Sequence, residues 1–395
     1  MRTLLDLNLI WRDVGQEPVR ELCARKIGRD FTILLIHVVP DARCVEIDAG
    51  DHERLGTVRN IRPSELWVHV PGEGHVTFIG GFGQGVGRSD RLAVVDRATC
   101  QLHDALLSLY WHNSRVRTSF IILGSGQDGG APQVGLHSSV QANRTASSVA
   151  VVGDSGAVVL LDASPDLRLQ SCALVDSPLY PQNRDFFLDG VFITHAHMGH
   201  YAGLLHFGDE AAATDHMPLF GTQRFLSFME SNEPWAALTR NGHLDATPID
   251  GMEVAFDDSL SVSAIPVPHR EEYSDTVALS VSVAGQPWML YLPDIDDWQS
   301  WKEAENEIAR HDVALLDATF SSVDELPGRD VAAIRHPLVP DTVERFGHLT
   351  SDTHVILTHI NHSNPLGDPH AIITQLAVDA GFTVAFDGFE SSTGT

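Results

Sequence analysis

In the run VFITHAHMGH (191–200) an apolar stretch stops abruptly, and His195, His197 and His200 follow at i, i+2 and i+5. Neutral imidazoles ligate Zn2+, Fe2+ and Mn2+. A strand ending in a short loop can converge His195 and His197 on one ion, which two histidines on a helix would do at i, i+4 spacing. The alternative is a histidine-rich loop that holds no ion. Further along, His269, Asp294 and His359 each follow an apolar, strand-like run, so imidazoles and a carboxylate able to bridge two ions recur at the same kind of position. Alone, each has a plainer explanation: Asp294 could cap a helix beginning near Trp298, and His359 could be a hydrogen-bonded histidine at a sheet edge. Their common placement at strand ends favours a shared metal site.

The elements that must position these side chains read as follows. Residues 190–194 have the β-branched and aromatic content of a buried strand, and 201–206 can start a helix. Upstream, a strand at 118–124 is followed by paired strands at 147–153 and 157–161 joined by a turn at 154–156. Ser164 is then an N-cap with Pro165 at the first helical position. Downstream come a helix at 222–229 and strands at 252–256, 260–267, 276–283, 288–292, 312–316 and 353–357. Several of these lead directly into His269, Asp294, Asp317 and His359. In an open layered α/β fold, sites collect at strand ends.

The 395 residues suffice for one large domain and a smaller one. Residues 1–115 read as a separate α/β unit, with strands at 31–39 and 65–70 and a helix at 99–111. Its glycine-rich segment IGGFGQGVGR (79–88) lacks the Lys-Ser/Thr ending and the strand-to-helix setting of a phosphate cradle, so a plain loop is expected there. Cys23, Cys44, Cys100 and Cys172 form no C-x-x-C pair and fit reduced structural thiols. Asp6 and Asn8 interrupt the apolar residues at the N-terminus, and no apolar run approaches the roughly 20 residues of a membrane span. The expectation is a soluble, cytoplasmic protein without membrane association. A net charge of −27 repels polyanions and argues against a nucleic-acid partner.

Residues 118–390 resemble the metallo-β-lactamase superfamily. His195-x-His197-x-Gly199-His200 stands where that superfamily has His-x-His-x-Asp-His, and His269, Asp294 and His359 match its later ligand positions. The segments GSGQDGGAPQ (124–133), NRTASS (143–148), LDASPD (161–166) and NHSNP (361–365) resemble the group named after coenzyme PQQ synthesis protein B. The resemblance implies an α/β fold, an αββα sandwich over 116–395, with residues 1–115 as an additional α/β domain. It also implies His195, His197 and His269 as primary ligands, Asp294 as bridging ligand and candidate proton acceptor, and His200 and His359 as ligands of a second ion. The expected cofactor is one or two Zn2+, with Fe2+ or Mn2+ as alternatives. Two departures stand out. Gly199 removes the usual carboxylate of the second site, and GLHSS (135–139) replaces a cysteine cluster common in the group.

Metal-assisted hydrolysis of a small-molecule ester, lactone, amide or phosphodiester is the implied reaction. The alternative is iron-dependent oxygenation in cofactor or modified-peptide biosynthesis. His362 and His336 are candidate general acids, although His336, in Arg335-His336-Pro337, could equally be a surface residue. Arg270, Tyr273 and Asn361 are candidates for substrate contact, since a guanidinium beside a metal suits a carboxylate or phosphate. Arg270 could instead pair with Glu271 or Glu272. The expected partners are a small-molecule or peptide-derived substrate and a second copy in a homodimer. Residues 1–115 could recognise a substrate, carrier or partner. A tRNA-processing nuclease would require the missing aspartate and a basic surface.

Overall fold

The computed structural model describes residues 118–395, apart from 137–142, 183, 258, 327, 394–395 and the side chain of residue 332, together with six strands before them. By its contacts the chain divides into Met1–Ser114 and Arg115–Thr395. In the first unit the described strands pair as antiparallel hairpins: β1 (Leu22–Lys26) with β2 (Thr32–Ile36), β3 (Cys44–Ala49) with β4 (Glu53–Arg59), and β5 (Leu66–His69) with β6 (Val76–Ile79). The helix expected at 99–111 and the glycine-rich segment after Ile79 lie outside the described residues.

The second unit is built on two mixed seven-stranded sheets. The first holds β7 (Ser119–Gly124), β8 (Ser148–Val152), β9 (Val158–Leu161), β10 (Gly190–Phe192), β11 (Met217–Gly221) and β12 (Leu244–Pro248), with β20 (Phe389–Ser392) beside β7. The second runs in chain order from β13 (Glu253–Ala255) through β14 (Leu260–Pro266), β15 (Val277–Val283), β16 (Gln286–Leu292), β17 (Val313–Asp317) and β18 (His354–Thr358) to β19 (Thr383–Val384). Each sheet is antiparallel on one side and parallel on the other. The change falls at β9 in the first sheet and at β16 in the second.

The period-2 alternation of apolar side chains explains the layering. Phe120 and Ile122 of β7 and Val149 and Val151 of β8 enter a core shared with Leu279, Tyr291 and Leu315 of the other sheet. Their neighbours Ile121, Leu123, Ala150 and Val152 face outward onto Leu167, Leu174, Leu204 and Phe225 of the covering helices. On the far side, Leu290, Leu292, Leu316 and Leu357 pack under Ile308, Val339, Phe346 and Ala377. Strands buried on both faces must be largely apolar: Val158–Leu161 is buried and apolar at every position, and Val313–Asp317 is buried throughout and apolar up to Asp317 at its end.

Three local expectations are corrected. The helix expected from Pro165 begins at Leu167. Ser164 is committed elsewhere, accepting from Asp166 N and donating to Gln170 Oε1, while the Asp166 carboxylate accepts from Ala146 N. Residues 217–221, directly before the helix expected at 222–229 and not among the expected strands, form β11, an interior strand of the first sheet, despite Pro218. No helix starts at Trp298, whose indole donates to Thr342 Oγ1 from a buried position; the next helix is Ala304–Ala309, so Asp294 caps nothing. The helix expected at 222–229 is present as Gln223–Glu230, with Thr222 Oγ1 accepting from Phe225 N. Among the described residues, no helix is long and apolar enough to cross a membrane.

His311 ties β15 to the turn that launches β17. A carbonyl only accepts, so Nδ1 donates to Glu307 O at 2.6 Å and Nε2 accepts from Ser280 Oγ at 2.7 Å. Burial is the main reason its pKa falls to about 4. The folded value lies below the unfolded value of about 6.5, so the unfolded chain binds more protons between the two. This contribution to stability is therefore intact above pH ~6.5 and is lost as pH falls toward ~4. In metal-free protein the denaturant midpoint should drop over that window, and His311→Gln should flatten the drop; an equal slope in the variant would place its origin elsewhere.

Candidate metal centre

The two sheets bring the C-terminal ends of several strands, most of them in the parallel halves, to one place. From β9 comes Asp162, and from β10 come His195, His197 and His200. The second sheet supplies His269 after β14, Asp294 after β16, Asp317 at the end of β17 and His359 after β18. The rims are stitched together by Val277 N to Thr194 O (3.1 Å) and Ala196 N to Ser274 Oγ (2.9 Å), while within the second sheet Ile295 N donates to Asp317 Oδ2 (3.1 Å). Two residues turn sharply as the chain leaves a strand: Asp162 at φ +64° and His359 at φ +59°. Left-handed backbone at a non-glycine residue costs on the order of 1 kcal/mol, and here it redirects an acidic or imidazole side chain into the centre.

Asp294 lies at the middle, 2 % exposed. Its Oδ2 is 2.8 Å from His200 Nε2, 3.3 Å from His195 Nε2 and 3.4 Å from His359 Nε2, while its Oδ1 is 3.7 Å from His269 Nε2 and 3.4 Å from His336 Nδ1. Burial opposes ionisation of this carboxyl, but the surrounding imidazoles, His359 and His269 foremost, hold its pKa well below the usual carboxylate range.

Outer carboxylates decide which ring nitrogen carries the proton. Asp162 Oδ2 accepts from His200 Nδ1 at 2.7 Å. It also takes the hydroxyl proton of Thr194, so Thr194 Oγ1 accepts from His195 Nδ1 at 3.0 Å. Asp317 repeats the device: Thr319 Oγ1 donates to Asp317 Oδ1 at 2.7 Å and accepts from His359 Nδ1 at 2.8 Å. Asp296 Oδ1 lies 3.1 Å from His269 Nδ1. His197 is reversed, with Nε2 3.5 Å from Glu272 and Nδ1 2.7 Å from His195 Nε2. His195, His200 and His359 are thereby held with a proton on the outward nitrogen and Nε2 aimed inward, the arrangement that metal-ligating histidines take. His200 Nε2, His269 Nε2, His359 Nε2 and Asp294 Oδ2 are buried without a hydrogen-bond partner. Burial depresses the pKa of His195, His197, His269 (to about 4) and His359, which keeps them neutral at pH 7. For His200 burial acts the same way, but Asp162, Asp128 and Asp294 outweigh it and raise its pKa well above the ordinary value.

These donors fit divalent cations. His195, His197, His269 and Asp294 form one group whose ligand atoms all lie within 4.8 Å of one another; Asp128, His200 and His359 form a second, and Asp294, Asp317, His336 and His359 a third. The six residues expected as ligands are thus brought together. His336 joins them: it is buried, not a surface residue, with Nδ1 donating to Asp317 Oδ2 at 2.7 Å and Nε2 unpartnered. His362 is not brought in. It is half-buried and donates to Asn361 Oδ1 at 3.0 Å, and its pKa is lowered first by burial and then by Arg329. Asn361 is buried, its amide donating to Ser363 Oγ. Arg270 lies near His197, half-buried, 3.7 Å from Glu272, with Nε unpartnered; Tyr273 is exposed and packs on Phe228.

Sequence reasoning placed Asp317 at a strand end without giving it a role, and assigned no site role to Asp128, Asp162, Asp296 or Glu272. Asp162 and Asp317 each stand at a strand end, the same signal that marked the ligands. Asp128 sits against Gly199: a Cβ at 199 would lie 2.3 Å from Asp128 Oδ1 and 2.5 Å from Asp128 Cα. Restoring the superfamily's aspartate at 199 would accordingly displace the Asp128 loop instead of simply adding a ligand.

A model of the beta-lactamase superfamily domain matches residues 158–360. Coenzyme PQQ synthesis protein B of Methylobacterium radiotolerans is 27 % identical over 317 residues, covering 69 % of this chain and 99 % of that protein. The protein of the same name from Cupriavidus taiwanensis is 28 % identical over 312 residues, with the same coverage. Among solved structures, zinc-bound PqqB from Methylobacterium extorquens matches with a TM-score of 0.59 at 22 % identity, covering 69 % of this chain and 99 % of that one. A diphosphatase of the PhnP family matches with a TM-score of 0.52 at 19 % identity, covering 70 % and 96 %. The last two likenesses show the fold. The chain belongs to the metallo-β-lactamase superfamily, and coenzyme PQQ synthesis protein B is its distant relative.

Proposed function

We propose that the protein is a metal-dependent hydrolase acting on a small-molecule ester, lactone, amide or phosphodiester. The observation that carries this reading is the set of inward, partnerless nitrogens around Asp294, His200 Nε2 and His359 Nε2 among them each backed by an outward proton bond. A bound divalent cation would lower the pKa of water from about 15.7 to about 7 and polarise the bond to be cleaved.

The chain's own groups supply the rest. Asp294, in reach of both histidine sets, accepts a proton from the attacking water. His336, its Nδ1 fixed on Asp317, has Nε2 left to give a proton to the leaving group. His336, not His362, is therefore the proposed acid. Arg270 has donors to spare for an anionic substrate group. Tyr273, exposed beside Phe228, offers an aromatic face at the rim.

The relationship to coenzyme PQQ synthesis proteins favours a second reading, a redox step on a peptide-derived or cofactor precursor, with iron held by the same nitrogen and oxygen donors. Metal analysis of protein purified without added metal separates the two. Zinc with esterase, lactonase or phosphodiesterase turnover supports hydrolysis, whereas iron with substrate-dependent oxygen uptake would replace that reading.

His197→Ala should lower the metal content per chain, and an unaltered content would refute its place as a ligand. His336→Gln should keep the metal while turnover falls by about 10²–10⁴. Loss of metal in His336→Gln would instead make His336 a ligand.

A further inference from the structure

We propose that Asp128 is the carboxylate ligand of a second ion, with His200, His359 and Asp294, in the place that residue 199 cannot fill. The inference rests on the metal-centre reading above, but it concerns the origin of one ligand.

Three independent features support it. First, Asp128 occupies the space a side chain at 199 would need: the Cβ of any such residue would meet Asp128 Oδ1 and Cα. The missing side chain and the arriving carboxylate are sterically exclusive, so glycine at 199 is a requirement of the Asp128 position. Second, Asp128 Oδ1 is buried and has no hydrogen-bond partner; it lies 3.4 Å from His200 Nε2. His200 and His359 are fully buried, and their Nε2 atoms, also partnerless, form a group with Asp128 whose ligand atoms lie within 4.8 Å of one another. A buried carboxylate oxygen and two buried imidazole nitrogens gathered with no hydrogen bond among them make the donor set that a divalent cation takes.

Third, the loop carrying Asp128 is fixed to the very strand end that delivers His359. Ile360 N donates to Ser125 O at 2.9 Å, Gln127 N donates to Ile360 O at 3.1 Å, and Gly126 N donates to Thr145 O at 2.8 Å. The loop closes with Gly130 N on Gln127 O at 2.6 Å, Gly130 taking φ +64°. Asp128 is therefore held on backbone hydrogen bonds beside one of its partners, the rigid support a ligand requires.

The test is titration of metal-free protein with Zn2+, and with Co2+ for its visible absorption, read as equivalents bound and their affinities. The native chain should bind two ions, the second through Asp128. Asp128→Asn, which keeps the side chain's size, should retain one ion and weaken the other by at least about 100-fold, more than the loss typical of a supporting residue. Gly199→Ala, which alters no carboxylate, should weaken the same ion by pushing the loop away. Circular dichroism and the unfolding midpoint of the metal-free variants establish that both remain folded; should Asp128→Asn not fold, Gly199→Ala alone carries the test. Two ions bound with unchanged affinity in Asp128→Asn, or in Gly199→Ala if that is the only folded variant, would overturn the assignment. A native chain that binds no ion would instead overturn the metal-centre reading itself.

Discussion

A carboxylate can be buried only if something compensates its charge, and Asp294 shows how much structure that demands. Both of its oxygens are surrounded by imidazoles drawn from two sheets, and those imidazoles are in turn fixed by a second ring of carboxylates. Asp162 and Asp317 occupy equivalent stations in the two sheets. Each ends a parallel strand, and each works through a threonine, Thr194 or Thr319, to set the protonated nitrogen of a histidine. The centre is thus a layered electrostatic assembly in which no ligand is positioned by its own strand alone.

The strand framework was legible because burial on both faces leaves a plain signature. Val158–Leu161 and Leu290–Leu292 are apolar without interruption, and the first polar side chains beyond such runs fall where the chain emerges at the rim. His195, Asp294 and His359 were read in that way. Two strands were not legible. Pro218 disguises β11, and the polar Phe389–Ser392 becomes a strand only because β7 offers it an edge. His336 was hard to place because its neighbours Arg335 and Pro337 read as a surface turn, whereas the positive φ of Arg335 folds the chain back so that the imidazole is buried.

Asp128 illustrates a different limit. Sequence comparison by position treats Gly199 as a ligand lost, since motif spacing carries no information about which distant loop fills a vacant volume. The carboxylate that comes closest to Gly199 lies in a glycine-rich turn that looks like a connector, and only the tertiary bonds to Ile360 and Thr145 bring it there.

Those bonds themselves hang on Asp387. Its Oδ1 accepts from both Ser125 N and Ser125 Oγ, and its Oδ2 from Thr145 N and Thr145 Oγ1, across a separation of up to 262 residues. Asp387 itself meets no ligand, so a side chain outside the centre governs where the Asp128 carboxylate is held, and loosening that one anchor would shift a ligand while each histidine stays on its own strand end.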